Sequence, residues 1–151
     1  MNSVRVSVRA LLLDEDDELV VFRRFVADRG VYYSAPGGKI EPGEDDETAL
    51  RRELLEELGA TVGELRYLFE SPRTDRYPTT HRFYATRLVS MDLTLRTGTE
   101  FANPAKGTYD VERIPCRSKA LKTFPFVPPE LATFLEENAD SVPGLLTEPD
   151  R

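Results

Sequence analysis

Val4, Val6 and Val8 alternate with serine and arginine, and the alternation runs into the unbroken apolar stretch Leu11-Leu12-Leu13. That pattern predicts a strand that becomes buried on both faces. An acidic stretch from Asp14 to Glu18 separates it from Leu19-Val20-Val21-Phe22, which predicts a hairpin. Tyr32-Tyr33 makes a short segment closed by Pro36-Gly37-Gly38, and Glu41-Pro42-Gly43-Glu44 has turn chemistry. Asp45, with Thr48 three residues on, caps a helix running to about Leu58, where Gly59 supplies a left-handed stop.

The pattern then returns to strands. Leu65 to Glu70 is one, Thr80 to Val89 is a longer one, and Met91 to Leu95 extends it or pairs with it. Residues 97–108 are polar and rich in Gly, Asn and Pro, which predicts a loop before a strand at Tyr109 to Ile114. Pro128 and Pro129 open a second helix through Leu131, Phe134 and Leu135. Residues 1–138 read as one domain and residues 139–151 as a polar, mobile tail. Strands around two helices in this order predict a single mixed α/β sandwich.

Composition narrows the chemistry. The 151 residues carry 20 Lys and Arg against 27 Asp and Glu, a formal charge of −7. Such a chain is a poor partner for nucleic-acid polymers or anionic membranes, whose affinity comes from clustered cations. Cys116 is the one cysteine and His81 the one histidine, which excludes an intrachain disulfide, a cysteine-based zinc site and a multi-histidine metal site. The N-terminal residues lack the apolar run of a signal peptide, and no stretch reaches 18 consecutive apolar residues, so a cytoplasmic protein is expected.

The helix from residue 45 to 60 holds the strongest functional signal. Leu50, Leu54 and Leu58 form one stripe with Leu55 at its edge, whereas Glu53, Glu56 and Glu57 share a different face. Like charges at this spacing repel on a helix. A divalent ion among them removes the repulsion, and carboxylate oxygens are hard ligands suited to Mg²⁺ or Mn²⁺. The competing reading is a solvated charged face. Gly37 and Gly38 just upstream allow close backbone approach to a ligand, Glu44 lies in the turn before the helix, and Arg52 can fork onto the Glu53 carboxylate.

Residues 38–60 read GKIEPGEDDETALRRELLEELGA. This resembles the Nudix box, G-x5-E-x7-R-E-U-x-E-E-x-G-U with U a bulky apolar residue. Gly38, Glu44, Arg52, Glu53, Leu54, Glu56, Glu57 and Gly59 match, and Ala60 is a small residue at the last apolar position. The resemblance implies an α/β/α sandwich with a mixed central sheet and Mg²⁺-dependent hydrolysis of a phosphoanhydride in a nucleoside diphosphate linked to another moiety. The acidic site would repel such a substrate unless metal ions bridged the two.

On this resemblance Glu56 and Glu57 are the principal metal ligands, with Glu53 a further ligand or the general base and the Gly38 carbonyl an added ligand. Arg52 orients Glu53, and Gly37, Glu44 and Gly59 support the loop and helix. Glu100 in the 97–108 loop resembles a base supplied from outside the box, against the reading of an ordinary loop carboxylate. Glu112 is the second choice. Lys39 and Arg23 are candidates for the outer phosphates, and Tyr33 for stacking on a base, although strand aromatics usually belong to the core. A small nucleotide is the expected partner, and a homodimer is compatible. A nucleoside triphosphate is the first substrate expectation; a dinucleoside polyphosphate, a nucleotide sugar and a silent nucleotide-binding domain are the alternatives.

Overall fold

The computed structural model describes residues 5–76, 78–97 and 107–146. Strands β1 (Arg5–Leu13), β2 (Glu18–Val26), β3 (Gly30–Ser34) and β4 (Gly37–Lys39) precede helix α1 (Asp46–Leu58). Strands β5 (Ala60–Val62), β6 (Arg66–Ser71), β7 (Thr79–Met91) and β8 (Asp110–Pro115) follow, then helices α2 (Ser118–Leu121), α3 (Pro129–Asn138) and α4 (Val142–Leu145). The strands form one mixed sheet with the path β3-β2-β1-β7-β5, to which β4 adds on β1, β6 on β7 and β8 on β2.

Alternation in β1 explains the layering. Val8, Ala10 and Leu12 pack with Leu50, Leu54 and Leu58 of α1, whereas Leu11 and Leu13 pack with Leu131 and Leu135 of α3. Both faces of the sheet are therefore covered, giving an α/β/α sandwich. β1 runs parallel to β7 along its whole length, Arg5 opposite Thr79 through Leu13 opposite Arg87. It touches β2 only at Leu12 and Leu13, and its first half pairs instead with β4, Val8 opposite Gly38. That exchange of partners brings the Gly37-Gly38 segment under α1.

Two boundaries differ from the sequence expectation. β7 ends at Met91, and Leu93–Leu95 is a 3-10 turn capped by the Asp92 carboxylate rather than a continuing strand. Residues 139–146, expected within a polar tail, fold onto the sheet: Ala139 and Val142 are fully buried beside α3 and the Cys116 thiol donates to the Ala139 carbonyl. Two small apolar residues suffice to seat this turn, a signal hidden among the flanking polar residues. Among the described residues no helix is long and apolar enough to cross a membrane.

Candidate active site

α1 begins as the sequence predicts. The Asp45 carboxylate accepts from the Thr48 N–H at 2.8 Å. At the other end Gly59 adopts φ 59°, its N–H donates to the Leu55 carbonyl, and a Cβ there would meet the Asp92 carbonyl oxygen at 1.9 Å. Only glycine closes this helix. Ala60 is buried in the core under α1, where a small side chain fits.

The helix is set against β4 by its acidic face. The Gly37 N–H donates to the Glu57 carboxylate at 2.7 Å, and Glu57 is only 5% exposed. Gly37 has φ 144°, and a Cβ there would stand 2.0 Å from the Val8 carbonyl oxygen. The Glu53 carboxylate fills the space that a side chain at Gly38 would occupy. Both glycines are thus required, one by backbone conformation and one by the carboxylate packed on it.

Arg52 ties the remaining acids together. Its guanidinium donates to both Glu44 oxygens at 2.7 and 2.9 Å, to Glu53 at 3.0 Å, to the Lys39 carbonyl at 3.1 Å, and more loosely to Glu56 at 3.3 and 3.4 Å. Arg52 holds the Glu44 carboxyl down to about 2, and the paired acids in turn push the guanidinium further up. Burial raises the Glu53 carboxyl above its ordinary value, while Arg52 and the nearby charge of Arg9 oppose the rise. Glu56 is the loosest member, with a side chain 40% exposed against 15% for Glu53.

The donor set suits a hard cation. Glu53, Glu56 and Glu57 offer anionic oxygens around the Gly37-Gly38 backbone, and Glu56 can leave Arg52 at little cost because those hydrogen bonds are long. The box oxygens do not form a tight cluster here. Among the described residues the carboxylates whose oxygens lie within 4.8 Å of one another are Asp14, Asp16 and Glu18, in the β1–β2 turn. In that turn the Asp14 carboxylate already accepts from the N–H groups of Asp16 and Glu18 and pairs with Arg113.

The outer candidates separate. Lys39 is exposed within the box, with its carbonyl bound by Arg52. Arg23 lies opposite Tyr33 and Asp110 and pairs with Asp110 at 3.9 Å. Tyr33 lies in the core, 9% exposed and edge-on to Phe124 at 5.0 Å. Glu112 lies in β8 opposite Val21. Glu100 lies outside the described residues.

One residue was missed. Arg9 sits between Val8 and Ala10 in a buried strand and donates to the Ala35 and Gly37 carbonyls at 3.1 and 3.3 Å, so it braces the glycine segment from behind. The signal for it was an arginine at the point where the alternating half of β1 gives way to its apolar run.

A family model described as the NUDIX domain matches residues 3–135. The chain belongs to the Nudix hydrolase family. Its structure is similar to a NUDIX hydrolase from Nitrosomonas europaea, with a TM-score of 0.67 and 19% identity over 97% of this chain and 98% of that one. It is also similar to the MutT NUDIX hydrolase of Burkholderia pseudomallei, with a TM-score of 0.60 and 20% identity over 90% and 98%. At these identities the likeness is one of fold. The CTP pyrophosphohydrolase of Escherichia coli (strain K12) is 40% identical over 62 residues, 39% of this chain and 46% of that protein. That match spans less than half of the relative's length. Nudix hydrolases use divalent metals and act on small nucleotide substrates, which accords with the acidic face of α1.

Proposed function

We propose that this Nudix hydrolase is a Mg²⁺-dependent nucleoside triphosphate pyrophosphohydrolase. The observation that carries the reading is the set of box side chains gathered at Gly37 and Gly38: Glu57 on the Gly37 N–H, Glu53 packed on Gly38, and Arg52 joining Glu53 to Glu44 and Glu56. The partial likeness to a CTP pyrophosphohydrolase supports the triphosphate over a sugar-linked substrate.

Glu56, Glu57 and Glu53, with the Gly38 carbonyl, would hold the ion. Bound Mg²⁺ supplies charge neutralisation at the anhydride oxygens and acidifies water beside them. Glu53 accepts the proton of the attacking water, and Arg52 keeps that carboxylate aimed. Glu44 fixes the far side of Arg52 through a forked pair, so the guanidinium cannot swing away. Glu57 holds the Gly37 backbone in place while water attacks an anhydride phosphorus in line with the leaving group, dividing the triphosphate into nucleoside monophosphate and pyrophosphate.

The test is phosphate release, after coupling to pyrophosphatase or phosphatase, across nucleoside triphosphates, nucleotide sugars and dinucleoside polyphosphates with Mg²⁺. Pyrophosphate from a triphosphate is the expected product. Nucleotide binding with no release from any member would establish a silent binding domain instead.

A further inference from the structure

The last four carbonyls of a helix need partners from outside it. In α1 they belong to Leu55, Glu56, Glu57 and Leu58, and the Gly59 N–H takes the first. The segment after β7 supplies donors for the next two. The Thr97 N–H donates to the Glu56 carbonyl at 3.0 Å, and the Arg96 Nε–H donates to the Glu57 carbonyl at 2.7 Å. Arg96 thus holds the main chain of the residue whose carboxylate accepts from the Gly37 N–H.

The same guanidinium reaches a second element. Its Nη2 donates to the Tyr109 carbonyl at 3.1 Å, immediately before β8, and its centre lies 5.7 Å from the Phe22 ring of β2. Tyr109 is itself edge-on to Phe22 at 5.6 Å. One planar side chain therefore joins the end of α1 to the sheet. Its charge suits the place as well. Residues 55–58 contain no basic side chain, and Glu56 and Glu57 add negative charge at the negative end of the helix dipole.

Helix ends fray, and fraying here would swing two carboxylates at once, because Glu56 and Glu57 both stand in the last turn. We propose that Arg96 is a positioning residue for the divalent ion. It holds the main chain of Glu57, while Thr97 holds that of Glu56, so that both carboxylates meet the ion together. This role rests on the reading that the acidic face of α1 binds the ion. The fork of two nitrogens does the holding; a lysine brings the charge without the fork. Arg51 is an internal control, since it forks in the same way onto the Val62 and Gly63 carbonyls, at 2.9 Å each, where α1 faces β5.

The experiment measures Mn²⁺ affinity of the full chain, from the resonance signal of the free ion, for wild type, Arg96→Gln, Arg96→Lys, Arg51→Gln and Glu56→Gln/Glu57→Gln. Both Arg96 variants should bind Mn²⁺ about tenfold more weakly, while Arg51→Gln keeps the wild-type affinity. Arg96 is half-buried and both replacements retain a donor, so the variants should fold, which circular dichroism checks. Wild-type affinity in Arg96→Gln, with loss in the glutamate variant, overturns the role and leaves the metal reading standing. Wild-type affinity in Arg96→Lys overturns it too, because charge alone then suffices. An equal loss in Arg51→Gln overturns it as a general loosening of α1. Unchanged affinity in the glutamate variant takes down the metal reading, and this role falls with it.

Discussion

A methyl group added at Gly38 would stand 2.4 Å from the Glu53 carboxyl carbon and 2.5 and 2.6 Å from its oxygens, where ordinary contact begins at 3.4 Å. The carboxylate therefore has to retreat by about 1 Å, enough to lengthen its 3.0 Å bond to Arg52. A misplacement of this size at a reacting group typically costs about 10² in rate. The fold has little to lose, because Gly38 does not sit at positive φ and the obstacle is the end of a flexible side chain. Replacing glycine at such a position gains about 0.4–1 kcal/mol from the unfolded chain, so Tm should stay within about 4 °C of wild type. Gly38→Ala is thus expected to melt normally and turn over about a hundredfold more slowly at saturating Mg²⁺. Thermal melting and pyrophosphate release measure the two quantities on one sample. Near-normal turnover would mean that Glu53 does not act from this place.

The neighbouring Gly37→Ala should behave oppositely. Its Cβ meets the Val8 carbonyl oxygen at 2.0 Å and the Arg9 Cα at 2.8 Å, both backbone, at φ 144°; a loss of roughly 3 kcal/mol is expected, seen as a Tm drop near 10 °C. Glu57→Gln keeps an acceptor for the Gly37 N–H, so it should fold while losing about 10²–10⁴ in turnover, and Glu53→Gln should do likewise. Arg52→Ala leaves Glu53 without its partner and should cost about 1–2 kcal/mol, with a lower Mg²⁺ affinity in the same variant. For His81 the folded pKa of about 4 lies below the ordinary 6.5, so the unfolded chain binds more protons and stability falls as pH drops from 6.5 to 4. The difference in unfolding free energy between wild type and His81→Asn should change by at most about 3 kcal/mol across that window. Glu53, raised by burial, titrates with the opposite sign but is common to both proteins. A difference that stays flat would refute the buried neutral imidazole.

Much of this was legible before the structure, and the divide has a physical basis. Helix α1 could be read from its leucine stripe, its Asp45 cap and Gly59, because local spacing alone determines each. The partners of Arg52 were partly legible: Glu53 and Glu56 are its helical neighbours, whereas the doubly hydrogen-bonded Glu44 depends on how the turn folds back. Strand side chains were harder. Arg23 and Arg24 alternate across β2, so one residue of register decides which meets Asp110 and which lies over the Tyr109 ring. The role of Arg9 depends on β1 changing partners from β2 to β4, and the burial of Tyr33 depends on Phe124 and Phe126 arriving from far along the chain.

The central claim is that the acidic face of α1 holds the divalent ion. Mn²⁺ binding followed by electron paramagnetic resonance, on wild type, Glu56→Gln/Glu57→Gln and Asp14→Asn/Asp16→Asn, tests it most directly. The account predicts that affinity falls at least about tenfold in the helix variant and holds in the turn variant. Retained affinity in the first and loss in the second would place the ion at the Asp14, Asp16 and Glu18 turn and contradict the account.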